Sequence, residues 1–427
     1  MKEKFIKSII YLIIGGFLTK LLGLIIKILT TRYIGIKGIS IYTLILPTFS
    51  LAMTITQLSL PLSITKLISE EKYNNKNILI SALPISIVTN IIIILLLIIS
   101  SKYLATNLLH DSRCTYPIIA ISLTLPFISL SSIIRSFFFG KQQMLPHIIS
   151  NIIEQITRII LIIAITPSLI KKGIIQAVCG LIISNIISEI ISIIILIIFL
   201  PKRKLNKKDI IPNKNNIKNI LNISIPNTSG RLISSIFYFF EPIIITYTLT
   251  KLGYSSTYIT TEYGIIEGIV IPLITLPNFF TIAISNSLLP TISNLYSKKR
   301  FKDVRKTLNL SLLLSGFIGI TTIIILYLFP NFFLKYIYNT NYGKKYLLIL
   351  LPVFLIYYIS PPIASYLQAI NKSKTLIKNE IIGITSKTTA LLLFPILNKG
   401  IYSLIIGIYL NIIITFLLNI REIKKSI

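Results

Sequence analysis

Charged, acidic and metal-ligating side chains are all scarce in this sequence. Only 13% of its 427 residues are charged, against roughly 25% in a soluble globular chain, while 53% are hydrophobic. No water-soluble core buries that much apolar side chain, so an ordinary soluble fold is excluded. The two cysteines, Cys114 and Cys179, lie far apart without Cys-x-x-Cys or Cys/His spacing, and the two histidines, His110 and His147, fall in different segments. Neither a metal site nor a disulfide framework is expected from them. Alternation of apolar and polar residues is also missing, which argues against a membrane β-barrel. There is no Walker motif or other phosphate-cradling Gly-rich loop, no hydrophilic stretch long enough for a nucleotide-binding domain, and no His/Asp/Glu cluster at the end of an apolar run. No catalytic residue, metal ligand or cofactor is therefore assigned, and the chain is read as a non-enzyme.

What the sequence does contain is a series of Ile- and Leu-rich runs, such as 85–100, 156–166, 182–200 and 311–329, separated by short basic clusters. Isoleucine favours strands in water. In lipid, however, a spanning segment must pair every backbone N–H and C=O internally, and unbroken runs of about twenty residues do so as helices. The expected fold is an all-α integral membrane protein with about twelve spans. They are placed near residues 8–29, 41–64, 78–100, 116–137, 148–166, 174–200, 220–246, 264–284, 308–329, 346–367, 376–396 and 402–420. The basic N-terminus resembles the start of a signal peptide, but the apolar run continues past Gly15 and Gly16 to Leu29 with no small-residue cleavage site, so it is read as an uncleaved first helix.

Forty-three Lys and Arg against 13 Asp and Glu leave a net charge of +30. These cations are dispersed in short clusters between apolar runs and have no folded soluble face to sit on, which excludes nucleic acid as a partner. On one side the alternate loops hold Lys66/Lys72/Lys76, Arg135/Lys141, the run from Lys202 to Lys218, the run from Lys298 to Lys306, and Lys372/Lys374/Lys378, with Lys2/Lys4/Lys7 and Arg421/Lys424/Lys425 at the ends. The excess on that side, roughly 27 to 11, places both termini in the cytoplasm and the chain in the cell membrane as a multi-pass protein.

The longest basic loop divides the chain into an N-terminal lobe (1–200), an inter-lobe loop (201–219) and a C-terminal lobe (220–427). A weak repeat supports two six-helix halves. Gly38-Ile-Ser-Ile-Tyr-Thr-Leu-Ile-Leu-Pro47 parallels Gly268-Ile-Val-Ile-Pro-Leu-Ile-Thr-Leu-Pro277, and Ser59-Leu60-Pro61 parallels Leu288-Leu289-Pro290. Halves running in the same direction predict a pseudo-two-fold axis along the membrane normal and a central cavity. Pro and Gly inside the spans, among them Pro47, Pro272, Pro277, Pro352, Pro361 and Pro362, read equally as packing kinks or as hinges.

Several charges fall where lipid should be. Lys20 and Lys27 lie in the first span, Arg158 in the fifth, Arg231 in the seventh and Lys387 in the eleventh, with Glu154, Glu189, Glu241 and Glu267 as in-span acids. A cation at a helix centre costs about 2.5–3.5 kcal/mol on insertion scales, so each needs protein, water or a partner. Glu154 and Arg158 are one turn apart on one face, where they either neutralise each other structurally or serve coupling. For Lys20 and Lys27 two readings stand: snorkelling or pairing with Glu241, or, with Arg231 and Lys387, a cationic cavity that binds an anionic group. Such donors suit phosphate or pyrophosphate, whereas a cavity for cationic drugs would need carboxylates or aromatics.

One stretch is more specific: Ser132-Ile-Ile-Arg135-Ser-Phe-Phe-Phe-Gly140-Lys-Gln142-Gln-Met144-Leu-Pro146, continuing through Glu154-Gln155-Ile-Thr-Arg158. With Gly16-Phe-Leu-Thr-Lys20-Leu-Leu-Gly23, Tyr33-Ile-Gly35-Ile-Lys-Gly38, Tyr263-Gly264 to Pro277, Ser285 to Pro290 and Leu367-Gln368-Ala369, the chain resembles, over nearly its whole length, the stage V sporulation protein B group of lipid-linked-sugar flippases. That group lies within the multidrug/oligosaccharidyl-lipid/polysaccharide exporter superfamily. The resemblance implies a two-lobed flippase that carries an undecaprenyl-pyrophosphate-linked sugar to the outer leaflet. It also implies that cavity-facing cations hold the pyrophosphate, with Lys20, Lys27 and Arg231 as candidates, although Lys stands where the family suggests Arg. Family members often have fourteen spans, two more than are read here.

The expected activity is thus flipping of a lipid-linked oligosaccharide or peptidoglycan precursor by alternating access, driven by an ion gradient, the membrane potential or the substrate gradient. The expected partners are the polyprenyl-pyrophosphate-linked sugar, membrane lipids and cell-wall synthesis proteins; a coupling ion is left open. Two alternatives are a cation-coupled multidrug exporter and a non-transporting scaffold for cell-wall or spore-cortex assembly. A third, an intramembrane transferase acting on polyprenyl sugars, would need clustered acid/base residues near one membrane face.

Overall fold

The computed structural model describes residues 2–70, 75–141, 143–201, 211–395, 397 and 400–425, with side chains from Gly15 onward except Pro290. These residues are almost wholly helical, with no β-strand among them. The Ile-rich runs fold as the lipid argument requires. A 29-residue helix such as Asn75–Tyr103 is about 44 Å long at 1.5 Å per residue, more than the hydrocarbon core needs.

The chain forms two compact units, Met1–Phe239 and Phe240–Ile427. The first unit contains α1 (Lys2–Gln57), α2 (Leu60–Ser69), α3 (Asn75–Tyr103), α4 (Thr115–Gly140), α5 (Met144–Lys172), α6 (Ile174–Phe199) and most of α7 (Lys214–Lys251). Its core joins Leu60, Ile64 and Ile68 of α2 to Ile78 and Ala82 of α3, Ile133, Phe137 and Phe138 of α4, Ile193 and Leu196 of α6, and Ile220 of α7. Gly140 permits the α2–α4 approach: a Cβ there would fall 2.7 Å from Ile68 Cβ and 3.0 Å from the Thr65 carbonyl. Small buried residues, Ser129, Ser131 and Ser136 on α4 and Ser184, Ser188 and Ser192 on α6, let the helices pack closely, as lipid-embedded bundles require. The outward face of α3 carries exposed Ile87, Ile91, Ile92, Leu95 and Ile99, which is the composition of a lipid-facing surface.

The first unit extends beyond the 1–200 lobe expected from sequence because the start of α7 packs onto it. Ile220 enters its core, and Ser224 hydrogen-bonds Ser63 at 2.7 Å. Of the expected inter-lobe loop, residues 202–210 lie outside the described residues.

The second unit continues through α8 (Ser256–Ile265), a π-turn at Ile266–Val270, α9 (Ile271–Thr275), α10 (Asn278–Ser297), α11 (Phe301–Leu328), α12 (Pro330–Tyr338), α13 (Lys344–Ala369), α14 (Ser373–Leu393) and α15 (Tyr402–Lys424). One of its apolar clusters joins Leu288 and Ile292 of α10, Val304 and Leu308 of α11, Ile363, Tyr366 and Leu367 of α13, and Ile423 of α15. A buried hydrogen bond of 2.8 Å, donated by Asn379 Nδ2 to Asn419 Oδ1, links α14 to α15.

Among the described residues nine helices are long and apolar enough to cross a membrane, or ten if the pair 256–275 and 278–297, bent by 56°, counts as one span. The difference from twelve has local causes. The first two expected spans are two helices that meet without a loop at a kink at Gly35 (φ 62, ψ −171) and so count once, as α1; that region of backbone space is essentially confined to glycine. The eleventh, α14, carries Lys374, Lys378, Glu380 and Lys387 and is too polar to qualify by composition. The repeat segments also differ locally. Pro47 lies inside α1 while Pro277 sits at the bend before α10, and Ser59 stands at a helix break while Leu288 lies inside α10. Several cations expected in loops are helical: Lys66 belongs to α2, Lys76 to α3, Arg135 to α4, Lys214 and Lys218 to α7, Lys302, Arg305 and Lys306 to the first turns of α11, and Lys374 and Lys378 to α14.

Candidate functional site

The break between α1 and α2 shapes the most suggestive cavity. Leu58 and Ser59 take left-handed φ values of 43° and 50°, a conformation uncommon outside glycine and costly enough to be concentrated at functional sites. Pro61 then opens α2. Beside this break lies a cavity of about 320 Å³, lined by Leu46, Phe49, Ser50, Met53, Thr54, Gln57 and Ser59 on one side and by Arg231 and Tyr238 of α7 on the other. Arg231 and Tyr238 are seven residues apart and share one face of α7. Two hydroxyl pairs pin the walls together, Thr54–Ser235 at 2.8 Å and Ser63–Ser224 at 2.7 Å. The Ser59 hydroxyl is buried without a hydrogen-bond partner among the described residues. Arg231 is exposed at the cavity and forms no ion pair there with any described acid. The site therefore offers a guanidinium, an amide and hydroxyls to an anionic guest.

Lys20 and Lys27, also expected at the site, lie on the first part of α1, Lys20 exposed and Lys27 half-buried, and neither lines this cavity. Lys387 is placed elsewhere. Its ammonium lies 2.8 Å from Glu241 Oε2 and 3.8 Å from Glu267 Oε1, so α7, the π-turn and α14 contribute to one buried cluster of two carboxylates and one cation. Glu241, read from sequence as a possible partner of Lys20 or Lys27, is thus ion-paired with Lys387, and its Oε1 is buried without a hydrogen bond among the described residues. Glu267 occupies the π-turn itself, a distortion frequent at functional positions.

Glu154 and Arg158 do meet, at 2.8 Å. They are not an isolated pair, because Arg135 reaches over from α4. Its Nη2 stands 2.5 Å from Glu154 Oε2, 2.8 Å from Ser192 Oγ and 3.7 Å from Glu189 Oε2. Arg158 Nε adds a 3.4 Å contact to Ser188 Oγ. The group joins α4, α5 and α6 with two cations and two anions, and its location inside the first unit away from the cavity suits a structural role. Sequence reading missed Arg135 here, since a cation near the end of an apolar run resembles a loop marker. Its place in the Arg135…Glu154…Arg158 motif was the available signal. Among the described residues no three His, Cys, Asp or Glu side chains are grouped to hold a metal ion.

Comparison with known proteins bears on the family and the fold. The profile of the family described as polysaccharide biosynthesis protein matches residues 5–296, and that of MatE matches residues 232–386. Stage V sporulation protein B of Bacillus subtilis (strain 168) is 31% identical over 438 residues, covering 99% of this chain and 84% of that protein. Among solved structures, the inward-facing conformation of a multidrug resistance MATE family transporter of the MOP superfamily superposes with a TM-score of 0.74 at 15% identity, covering 98% of both chains. The lipid II flippase MurJ in an inward closed conformation gives 0.72 at 21% identity, covering 97% of this chain and 87% of that one. At these identities the two structures establish the shared fold.

Proposed function

The chain belongs to the polysaccharide biosynthesis protein family, and from that membership we propose that it moves an undecaprenyl-pyrophosphate-linked oligosaccharide or peptidoglycan precursor across the cytoplasmic membrane by alternating access. It is a multi-pass membrane protein of the flippase and exporter kind, a transporter and not an enzyme. The lipid-linked cargo is our reading, and the observation that carries it is Arg231 on the wall of the polar cavity with Ser50, Thr54, Gln57 and Ser59.

A pyrophosphate diester is a multiply charged acceptor with no proton to give, so it needs donors and a fixed cation. A planar guanidinium meets two phosphate oxygens at once, and the neighbouring hydroxyls and amide can donate to the rest. The polyprenyl tail needs no pocket, because the lipid-facing helix surfaces are as apolar as the tail. Movement requires no covalent step and no resident cofactor; an ion gradient, the membrane potential or the substrate gradient supplies the energy. The basic loops orient the chain with both termini in the cytoplasm, where the precursor is made available.

The test is a leaflet-access assay. Fluorescent undecaprenyl-pyrophosphate-linked sugar is reconstituted with the protein in vesicles and its exposure to an outside quencher is followed. A charge-assisted hydrogen bond contributes about 1.5–3 kcal/mol, so Arg231→Ala should slow exposure by about 10- to 150-fold, with Arg231→Lys intermediate. Wild-type rates in Arg231→Ala would remove the cavity from the reading. A second reading, a cation-coupled multidrug exporter, draws on the MatE match and on the buried Glu241 and Glu267 carboxylates. Gradient-dependent uptake of a cationic dye into the same vesicles, abolished by Glu241→Gln, would favour it over lipid flipping.

A further inference from the structure

The basic start of α11 forms a surface that the transport reading leaves unused. Lys302, Arg305, Lys306 and Asn309 lie on one face of the helix around a shallow concavity of about 530 Å³, which continues onto Leu310 and Leu313. The spacing of three, four, seven, eight and eleven residues keeps all six on one stripe. The three cations are exposed and have no acidic partner among the described residues, because Asp303, the acid in this turn, pairs with Arg300 at 2.6 Å. Below them the stripe turns wholly apolar. Leu313 is 72% and Phe317 70% exposed, values that only a lipid environment makes inexpensive.

We propose that this stripe is a binding site for an anionic glycerophospholipid, whose phosphodiester sits among Lys302, Arg305 and Lys306 and whose acyl chains lie along Leu310, Leu313 and Phe317. The charge pattern selects the head group: three cations with an amide donor complement a phosphodiester with net negative charge, whereas a zwitterionic lipid brings its own cation to the same place. The apolar continuation selects a lipid over a soluble phosphate, which would gain nothing from the leucines. A basic cluster directly flanking a membrane helix is the arrangement by which anionic leaflets are recognised. The inference does not depend on the transported cargo.

Native mass spectrometry of the full-length protein in a neutral detergent, titrated with phosphatidylglycerol, phosphatidylcholine or inorganic phosphate, tests it. Phosphatidylglycerol should bind at least about tenfold more tightly than phosphatidylcholine, and inorganic phosphate should not compete at concentrations matching the lipid. The triple variant Lys302→Gln/Arg305→Gln/Lys306→Gln should lose that preference. A charge-matched control, Lys298→Gln/Lys374→Gln/Lys378→Gln, should keep it. Size-exclusion profiles of both variants establish that they are folded, and Leu313→Asn alone should weaken phosphatidylglycerol without altering the charge. Equal loss in both triple variants would reduce the effect to bulk charge and overturn the proposal, as would competition by free phosphate or equal binding of the two lipids.

Discussion

Replacing Arg135 with leucine removes one of two cations from a buried group that is neutral only when complete. In the wild type, Glu154 receives Arg135 at 2.5 Å and Arg158 at 2.8 Å, while Glu189 stands 3.7 Å from Arg135. Both carboxylates are almost fully buried, with 4% and 8% of their side-chain surface accessible. Without Arg135 two negative charges share one guanidinium, and Ser192 loses its donor. Breaking a buried pair on one side costs about 3–5 kcal/mol. At roughly 2–4 °C per kcal/mol for a domain of this size, the melting temperature should fall by about 6–20 °C. Cys114 is 0% exposed, whereas the other thiol, Cys179, is only half-buried; in a Cys179→Ser background a thiol-reactive fluorophore therefore reports the opening of this unit on heating. Arg135→Leu/Glu189→Leu restores neutrality and should recover part of the loss, whereas Glu189→Gln alone removes no hydrogen bond to Arg135 and should cost less than Arg135→Leu. A double variant as unstable as the sum of the two single leucine variants would refute the coupled network, and so would an Arg135→Leu melting temperature equal to wild type.

Three further outcomes are expected. Gly35→Ala forces a Cβ into a backbone region essentially reserved for glycine and should cost about 1–3 kcal/mol, seen as a lower melting temperature. Lys387→Met removes the cation that Glu241 and Glu267 share and should destabilise the second unit by about 3–5 kcal/mol; Lys387→Met/Glu241→Leu should be milder in the same thermal assay. The proposed orientation places Ser297 inside and Ser255 outside, both exposed. A membrane-impermeant maleimide should therefore label Ser255→Cys in intact cells and Ser297→Cys only after permeabilisation.

Helix identity was legible because a run of Ile and Leu in lipid has one way to satisfy its backbone, and the i,i+4 geometry of Glu154 and Arg158 is a property of a single helix. What required the fold is pairing between helices. Arg135 and Glu154 are nineteen residues apart in sequence, and Lys387 and Glu241 are 146 apart, so no local pattern announces either contact. Arg135 was further disguised by its position at the end of an apolar run, where cations ordinarily mark a loop. The junction of the first two spans was hidden for the opposite reason, since a kink at one glycine, Gly35, stands where a polar turn ordinarily separates two helices. The break at Leu58 and Ser59 was equally silent, because neither residue type favours a left-handed conformation. Its position beside Pro61 is the one local hint, as proline favours the first turn of a new helix.

The membrane solvent links these observations to the candidate site. Every in-span cation carries an insertion cost of about 2.5–3.5 kcal/mol, and the fold offsets it in two ways. Arg135 and Arg158 are neutralised by Glu154 and Glu189, and Lys387 by Glu241 and Glu267. These charges are spent on each other and have little field left for a guest. Arg231 is treated differently: it is exposed on the cavity wall with no acidic partner among the described residues, beside a buried serine hydroxyl that also has no hydrogen-bond partner among them. A cation kept solvated, and not paired, contributes nothing to folding that alanine would remove. Arg231→Ala should therefore leave the stability within about 0.5 kcal/mol of wild type, as for surface positions, while lowering flipping. That separation of stability from transport distinguishes a ligand-binding cation from the two neutralised clusters, where removing the cation should destabilise the unit that contains it by about 3–5 kcal/mol.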